Sequence, residues 1–217
     1  MTAAVRGRGL VQRFGDRMAL GPLGLEVAAG ERLAVLGENG AGKTTLLRLL
    51  ATVARPAAGT LELFGLDAGR QRDRVRARLG YVGHQPALYP ALTALEYLDL
   101  FTRLYGLRRG RAAEGLARVG LEKQAGRTVE QLSRGQQQRL ALGRAVLHEP
   151  ELLVLDEPDA SLDAGGRRLL AELMEGRTAV MATHDRALAR ELCGRALLLV
   201  DGRDAGDPWS LRVMEAR

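Results

Sequence analysis

The segment RLAVLGENGAGKTTLLRLLATV, residues 32–53, constrains the fold of this chain more than any other. It opens on an unbroken apolar run, the pattern of a strand buried on both faces rather than wet on one. Gly37, Gly40 and Gly42 then break that run, and TTLLRLLATV behind them has its apolar residues at helical spacing. A strand that passes through a glycine-rich turn directly into a helix is the start of a parallel crossover unit. Similar apolar runs recur at 79–83 (LGYVG), 152–156 (LLVLD), 178–183 (TAVMAT) and 196–201 (ALLLVD), with helical patterns between them. Such alternation predicts an α/β domain with a mostly parallel sheet. Residues 5–11, 23–28 and 60–64 read as short glycine-bounded strands, a β-rich opening.

Residues 85–149 differ. They carry leucines and arginines at helical spacing but no convincing strand, and TALEYLDLFTRLYG, RAAEGLARVG and RGQQQRLALGRAVLH read as helices. We expect one domain over 1–217, with an α/β core from 1–84 and 150–217 and an all-helical lobe inserted at 85–149. The arginine clusters at 70–78 and 108–111 are expected on solvated faces.

Composition narrows the function classes. The 217 residues carry 32 Lys and Arg against 26 Asp and Glu, a net charge of +6, which favours anionic partners. Cys193 is the single cysteine, so an intramolecular disulfide and a cysteine-rich metal site are both excluded. No apolar signal core follows Arg6 and Arg8, and no apolar run approaches the ~20 residues needed to span a bilayer. A cytoplasmic chain is expected. Trp209 is expected to be a packing anchor.

Arginine supplies nearly all the positive charge. The chain has two lysines, Lys43 and Lys123, and one asparagine, Asn39, so the placement of Lys43 and Asn39 in one glycine-rich loop calls for a chemical reason. Gly37-Glu38-Asn39-Gly40-Ala41-Gly42-Lys43-Thr44 matches G-x-x-x-x-G-K-[ST] between a strand and a helix, and Thr45 continues into the helix. Glycines let successive backbone N–H groups turn inward around phosphate oxygens, and the helix N-terminus adds partial positive charge. Lys43 is a compact, flexible ammonium that reaches the β- and γ-phosphates where a forked guanidinium does not fit. The Thr44 hydroxyl is placed to ligate Mg²⁺. Asn39 is compatible with a tight left-handed turn.

A triphosphate site also needs a carboxylate for the metal and a group that orients water. LLVLDEP provides both: Asp156 ends a buried strand at the edge where an open α/β sheet exposes its ligand crevice, and Glu157 follows it. Asp156 is expected to hold Mg²⁺ and Glu157 to polarise the attacking water.

The stretch LSRGQQQRLALGRAV, residues 132–146, resembles the LSGGQ signature of ABC-type ATPases. Ser133-x-x-Gln136 is at the same time a capping box that opens an amphipathic helix, and a capped helix N-terminus is also an anion site. Arg134 stands where the signature usually has its first glycine, while Ser133, Gly135 and Gln136 remain. The resemblance extends over essentially the whole chain. It implies a P-loop NTPase cassette with a mostly parallel core sheet, an N-terminal antiparallel β-subdomain and an inserted α-helical lobe. By the same resemblance Phe14 is the aromatic that stacks on adenine, and Gln85 the loop glutamine that touches Mg²⁺ and the water. Asp163 in ASLD corresponds to the D-loop aspartate, and His184 in ATHD to the switch histidine that senses the γ-phosphate.

ABC cassettes stack head to tail, so the resemblance implies a homodimer in which Ser133, Gly135 and Gln136 of one chain close over ATP on the other. It implies a separate transmembrane permease subunit, docked near the Gln85 loop and the helix containing Leu95, Leu98 and Phe101, and hence a cassette peripheral on the cytoplasmic face of the inner or plasma membrane. GHQPALYPALTALEYL, residues 83–98, most resembles the ATP-binding subunit of heme exporters in cytochrome c maturation, with Tyr97 where asparagine is frequent. A multidrug or antibiotic exporter subunit is the nearest rival. A soluble ABC ATPase acting on nucleic acid or ribosomes is the alternative from another class, suggested by the basic charge; against it the chain has one cassette, no long heptad arm and no zinc-ligand cluster, and no nucleic-acid partner is expected.

Overall fold

The computed structural model describes residues 3–209. Strands β1 (Ala3–Phe14), β2 (Arg17–Ala28), β4 (Ala58–Leu63) and β5 (Leu66–Asp67) form an antiparallel sheet in the order β2-β1-β4-β5. Strands β3 (Arg32–Leu36), β6 (Leu79–Val82), β7 (Leu152–Asp156), β8 (Thr178–Ala182), β9 (Arg195–Val200) and β10 (Arg203–Asp204) form a second sheet, β10-β9-β3-β8-β7-β6. All its pairings are parallel except the antiparallel β10 edge. Helix α1 (Lys43–Leu50) follows β3, and α2 (Arg72–Arg76) precedes β6. Helices α3 (Ala94–Leu104), α4 (Arg111–Arg118) and α5 (Arg134–Val146) fill the stretch between β6 and β7, while α6 (Ala164–Met174) and α7 (Arg186–Leu192) connect β7, β8 and β9. Mixed α/β architecture with an antiparallel N-terminal sheet is thus as expected.

The apolar runs explain the layering. Side chains alternate across a strand, and a strand buried on both faces feeds two cores. Leu33 and Val35 of β3, Leu152 and Val154 of β7, and Val180 and Ala182 of β8 pack with Leu46, Leu47, Leu49 and Leu50 of α1 and with the antiparallel sheet. Their neighbours Ala34, Leu36, Leu153, Leu155, Ala179 and Met181 face the opposite way, onto α5, α6 and α7. Each fully buried leucine contributes about 1.5–3 kcal/mol, so the central strands hold both layers at once. Cys193 and Trp209 join the second core, the cysteine buried and the tryptophan partly so.

Local sequence sets the helix starts. Thr93 caps α3 and Ser133 caps α5, each in a reciprocal capping box with Glu96 and Gln136 respectively. Asp163 caps α6 and Asp185 caps α7.

Three sequence expectations need correction. The proposed docking helix does not present all three named residues: Leu98 is fully buried and Phe101 packs against the core, leaving Leu95 exposed, with Leu104 and Tyr89 nearby in sequence. The helix turns its i, i+3, i+4 stripe inward, as a lobe helix must to bury its apolar face. The arginines of 70–78 are not simply solvated. Arg72 Nε donates to the Thr52 carbonyl at 2.8 Å, Arg76 Nε donates to Thr52 Oγ1 at 3.0 Å, and Arg78 forks onto Glu151 at 2.6 and 2.7 Å. Finally, Asn39 does not take the left-handed conformation. Gly40 and Gly42 do, with φ of 82° and 102°, because glycine adopts it without the Cβ penalty.

Candidate active site

The phosphate-type loop joins β3 to α1. Gly37 has φ 149°, and a Cβ there would stand 2.4 Å from the Leu199 carbonyl oxygen; at Gly42 it would stand 2.7 Å from that of Ala19. Neither position admits a side chain. No side chain caps the first turn of α1 and no acidic residue lies in it, so the N–H groups there are free to bind an anion along the helix dipole. Lys43 is buried and donates from Nζ to the carbonyls of Gly37 at 2.7 Å and Glu38 at 3.0 Å. Burial lowers its pKa, against the charges of Glu157 and Asp156.

Three adjacent parallel strands bring the remaining polar groups together. The register pairs Val82 with Leu155 and Asp156 with Ala182, so the ends of β6, β7 and β8 lie level. His84, Glu157 and His184 leave those ends in a row. Glu157 Oε1 stands 2.6 Å from His184 Nε2, and Glu157 Oε2 stands 3.1 Å from His84 Nδ1. The Glu157 backbone is left-handed, φ 52°, and its N–H donates to the Ala182 carbonyl at 2.9 Å. A non-glycine residue held there costs of order 1 kcal/mol, and the conformation aims the carboxylate between the histidines. His184 is steadied on both sides: Thr183 Oγ1 donates to Asp159 Oδ2 at 2.9 Å and accepts from the Asp185 N–H at 3.0 Å.

Asp156 is almost fully buried, and its Oδ2 has no hydrogen-bond partner. Burial pushes its carboxyl above the ordinary range, against a hydrogen bond from Thr44. Among the described residues no group of three or more His, Cys, Asp or Glu side chains could hold a metal ion. Mg²⁺ nonetheless fits: it is bound by one or two protein oxygens and completes its octahedron with water and phosphate oxygens. Thr44 and the unpartnered Asp156 oxygen match that donor set. Bound there, Mg²⁺ would neutralise charge on the phosphate oxygens.

A cleft of about 440 Å³ is lined by Phe14, Asn39, Gly40, Gly42, Lys43, Thr44, Thr45, His84 and Glu157. Phe14 is 59% exposed at its rim. Gln85 shares a neighbouring cleft with Thr44, while Gly37, Glu38, Ala41 and His184 line another that shares Asn39 and Gly40 with the first. The sequence-derived residues Ser133, Gly135, Gln136 and Asp163 are not brought to this place. They line a separate cleft with Arg139 and Ser161. Asp163 Oδ1 accepts from the Gly166 N–H and from Arg139 Nη2, both at 2.7 Å, and these bonds hold its carboxyl below the usual range.

Residues 20–160 match the protein family described as ABC transporter. This chain belongs to that family. It is an ABC-type ATPase and an ATP-binding subunit, and its cassette has close relatives of known name. It is 36% identical over 212 residues to Nod factor export ATP-binding protein I of Cupriavidus metallidurans, covering 94% of this chain and 70% of that one. It is 41% identical over 210 residues to the aliphatic sulfonates import ATP-binding protein of Ralstonia nicotianae, covering 94% and 72%. Among solved structures, a dimeric ATP-binding cassette in a post-hydrolysis state bound to ADP and Pi superposes with a TM-score of 0.83 at 31% identity, over 94% of this chain and 97% of that one. No helix among the described residues of the cassette is long and apolar enough to cross a membrane.

His84 and the Thr183–Asp159 pair were not singled out from sequence as parts of the site. Lone residues one to three positions past a strand give no signal until the strand order and register are known.

Proposed function

We propose that the chain hydrolyses MgATP as one half of a head-to-tail homodimer and drives a separate membrane-spanning subunit as the ATPase of an exporter, from the cytoplasmic face of the membrane. The observation that carries this reading is the placement of Glu157 in one cleft with Lys43 and Thr44, while Ser133 and its neighbours line a cleft elsewhere. A site divided in this way is completed by a second copy. Phe14 stacks on adenine, the N–H groups from Gly37 to Thr45 and the Lys43 ammonium hold the phosphates, and Thr44, Asp156 and Gln85 would hold Mg²⁺. Glu157 accepts a proton from the attacking water, and His184 contacts the γ-phosphate. Ser133, Gly135 and Gln136 approach that phosphate from the partner copy, beside Asp163. The cassette is read as one domain, with the lobe of 85–149 set into the core of 1–84 and 150–217.

For the cargo we propose heme, on the GHQPALYPALTALEYL segment. The relative named for Nod factor export favours a second reading, export of a different solute.

The mechanism is tested by Glu157→Gln. This variant retains ATP binding, turns over at least about 100-fold more slowly and elutes as an ATP-dependent dimer. Normal turnover removes Glu157 from its role, and an ATP-bound monomer removes the composite site. Detergent purification of the tagged chain from its native membranes tests the cargo and the membrane partner. A multi-pass subunit with bound heme supports heme export, a permease without heme supports the second reading, and ribosomes or nucleic acid with no permease refute export.

A further inference from the structure

We infer that His84 is a positioning residue for Glu157: it keeps the carboxylate aimed when His184 turns to the γ-phosphate. The inference rests on the roles proposed above for Glu157 and His184. Its basis is the division of the carboxylate between two ring nitrogens, with Oε1 2.6 Å from His184 Nε2 and Oε2 3.1 Å from His84 Nδ1. The histidines cannot serve the same purpose. His184 lines the cleft that contains Gly37, Glu38 and Asn39, and the role proposed for it above takes its ring to the γ-phosphate. His84 lies on the opposite flank, past the end of β6, in the cleft with Lys43, Thr44 and Glu157.

Once His184 leaves for the phosphate, Oε1 is released to accept the proton of the attacking water, and Oε2 keeps its donor. A carboxylate with neither donor swings about three side-chain torsions, and misplacing a general base weakens proton transfer. The Glu157 backbone, held left-handed by its N–H bond to the Ala182 carbonyl, fixes where the side chain begins. His84 fixes where it ends. The contact does not require a particular charge on the ring, because Nδ1–H donates in the imidazolium and in the Nδ1–H neutral tautomer alike.

The test is steady-state turnover of MgATP by the full chain carrying His84→Ala, His84→Phe, His84→Asn or His84→Gln, alongside nucleotide affinity and Glu157→Gln as reference. The ring is 59% exposed, so stability is expected to be unchanged, and the melting temperature monitors it. Expected are a fall in kcat of at least about 10-fold for His84→Ala and His84→Phe with KM and affinity for ATP unchanged, and recovery of most of that loss by His84→Asn. Asparagine places an amide N–H where Nδ1 stood. Glutamine places it one carbon further and recovers less. A wild-type kcat in His84→Ala, a loss confined to KM, or an Asn variant as impaired as Ala each overturns the inference. An inactive Glu157→Gln beside a normal His84→Ala overturns this inference alone, whereas a fully active Glu157→Gln removes the reading on which it rests.

Discussion

Replacing Glu149 by glutamine tests how α4 is tied to the chain entering β8. Glu149, between α5 and β7, receives Arg111 and Arg118 from α4 and Arg177 from just before β8; Arg118 Nη1 stands 2.6 Å from Oε1. Three guanidinium groups around one carboxylate repel each other as soon as the charge is removed. The Glu149 side chain is 48% exposed, so solvent screens each pair, and exposed pairs contribute about 0.2–1 kcal/mol apiece. Glu149→Gln is therefore expected to destabilise the chain by about 1–2 kcal/mol, or about 2–8 °C in Tm for a chain of this size. Burial opposes ionisation of Glu149, but the hydrogen bonds and charges of the three arginines outweigh it and hold the carboxyl below its ordinary value of 4.5. A depressed native pKa means the stabilisation is fully present above 4.5 and is lost as pH falls through the native value, so the gap between variant and parent closes in acid. The assay is urea unfolding at neutral pH in about 0.1 M and about 1 M salt, where screening lengths of about 10 and 3 Å shrink the gap at the higher concentration. An unchanged midpoint in low salt, or a gap indifferent to salt, refutes the electrostatic account.

Two further outcomes are expected. Lys43→Ala loses a charged donor from the phosphate loop and raises the Kd for ATP about 10- to 100-fold in a calorimetric titration; unchanged affinity contradicts the assignment of the loop. Burial pushes the Cys193 thiol up to about 12, so the folded chain resists thiol reagents at about pH 8 and reacts only once unfolded in urea. Rapid labelling of the native chain would place Cys193 at the surface.

The legible parts of this protein are those in which one residue's chemistry is fixed by its immediate neighbours in sequence. The apolar runs LAVL, LLVL and AVMA, short, bounded by glycine or polar residues and alternating with helical patterns, point to buried strands, and β3, β7 and β8 lie where those runs do. Lys43 stands out against a chain of arginines, and Ser133 with Gln136 forms the capping box its spacing implies. The illegible parts depend on register. Nothing around His84 distinguishes it from a loop histidine, because its partner Glu157 is 73 residues away and comes within 3.1 Å only when β6 and β7 pair Val82 with Leu155. Leu98 fails for a related reason: a helical stripe of leucines states that one face is apolar but not whether a lobe or a partner covers it, and here the lobe does. Asn39 fails for a third, since the left-handed steps that it could have taken are carried by the glycines on either side of Ala41. Parallel sheets concentrate such long-range meetings at the carboxyl ends of their strands, where each strand releases its next side chains beside those of its neighbours. The residues placed around Glu157 therefore come from three strand ends, and the order β8-β7-β6 puts Glu157 between the histidines, with a ring nitrogen near each oxygen of its carboxylate.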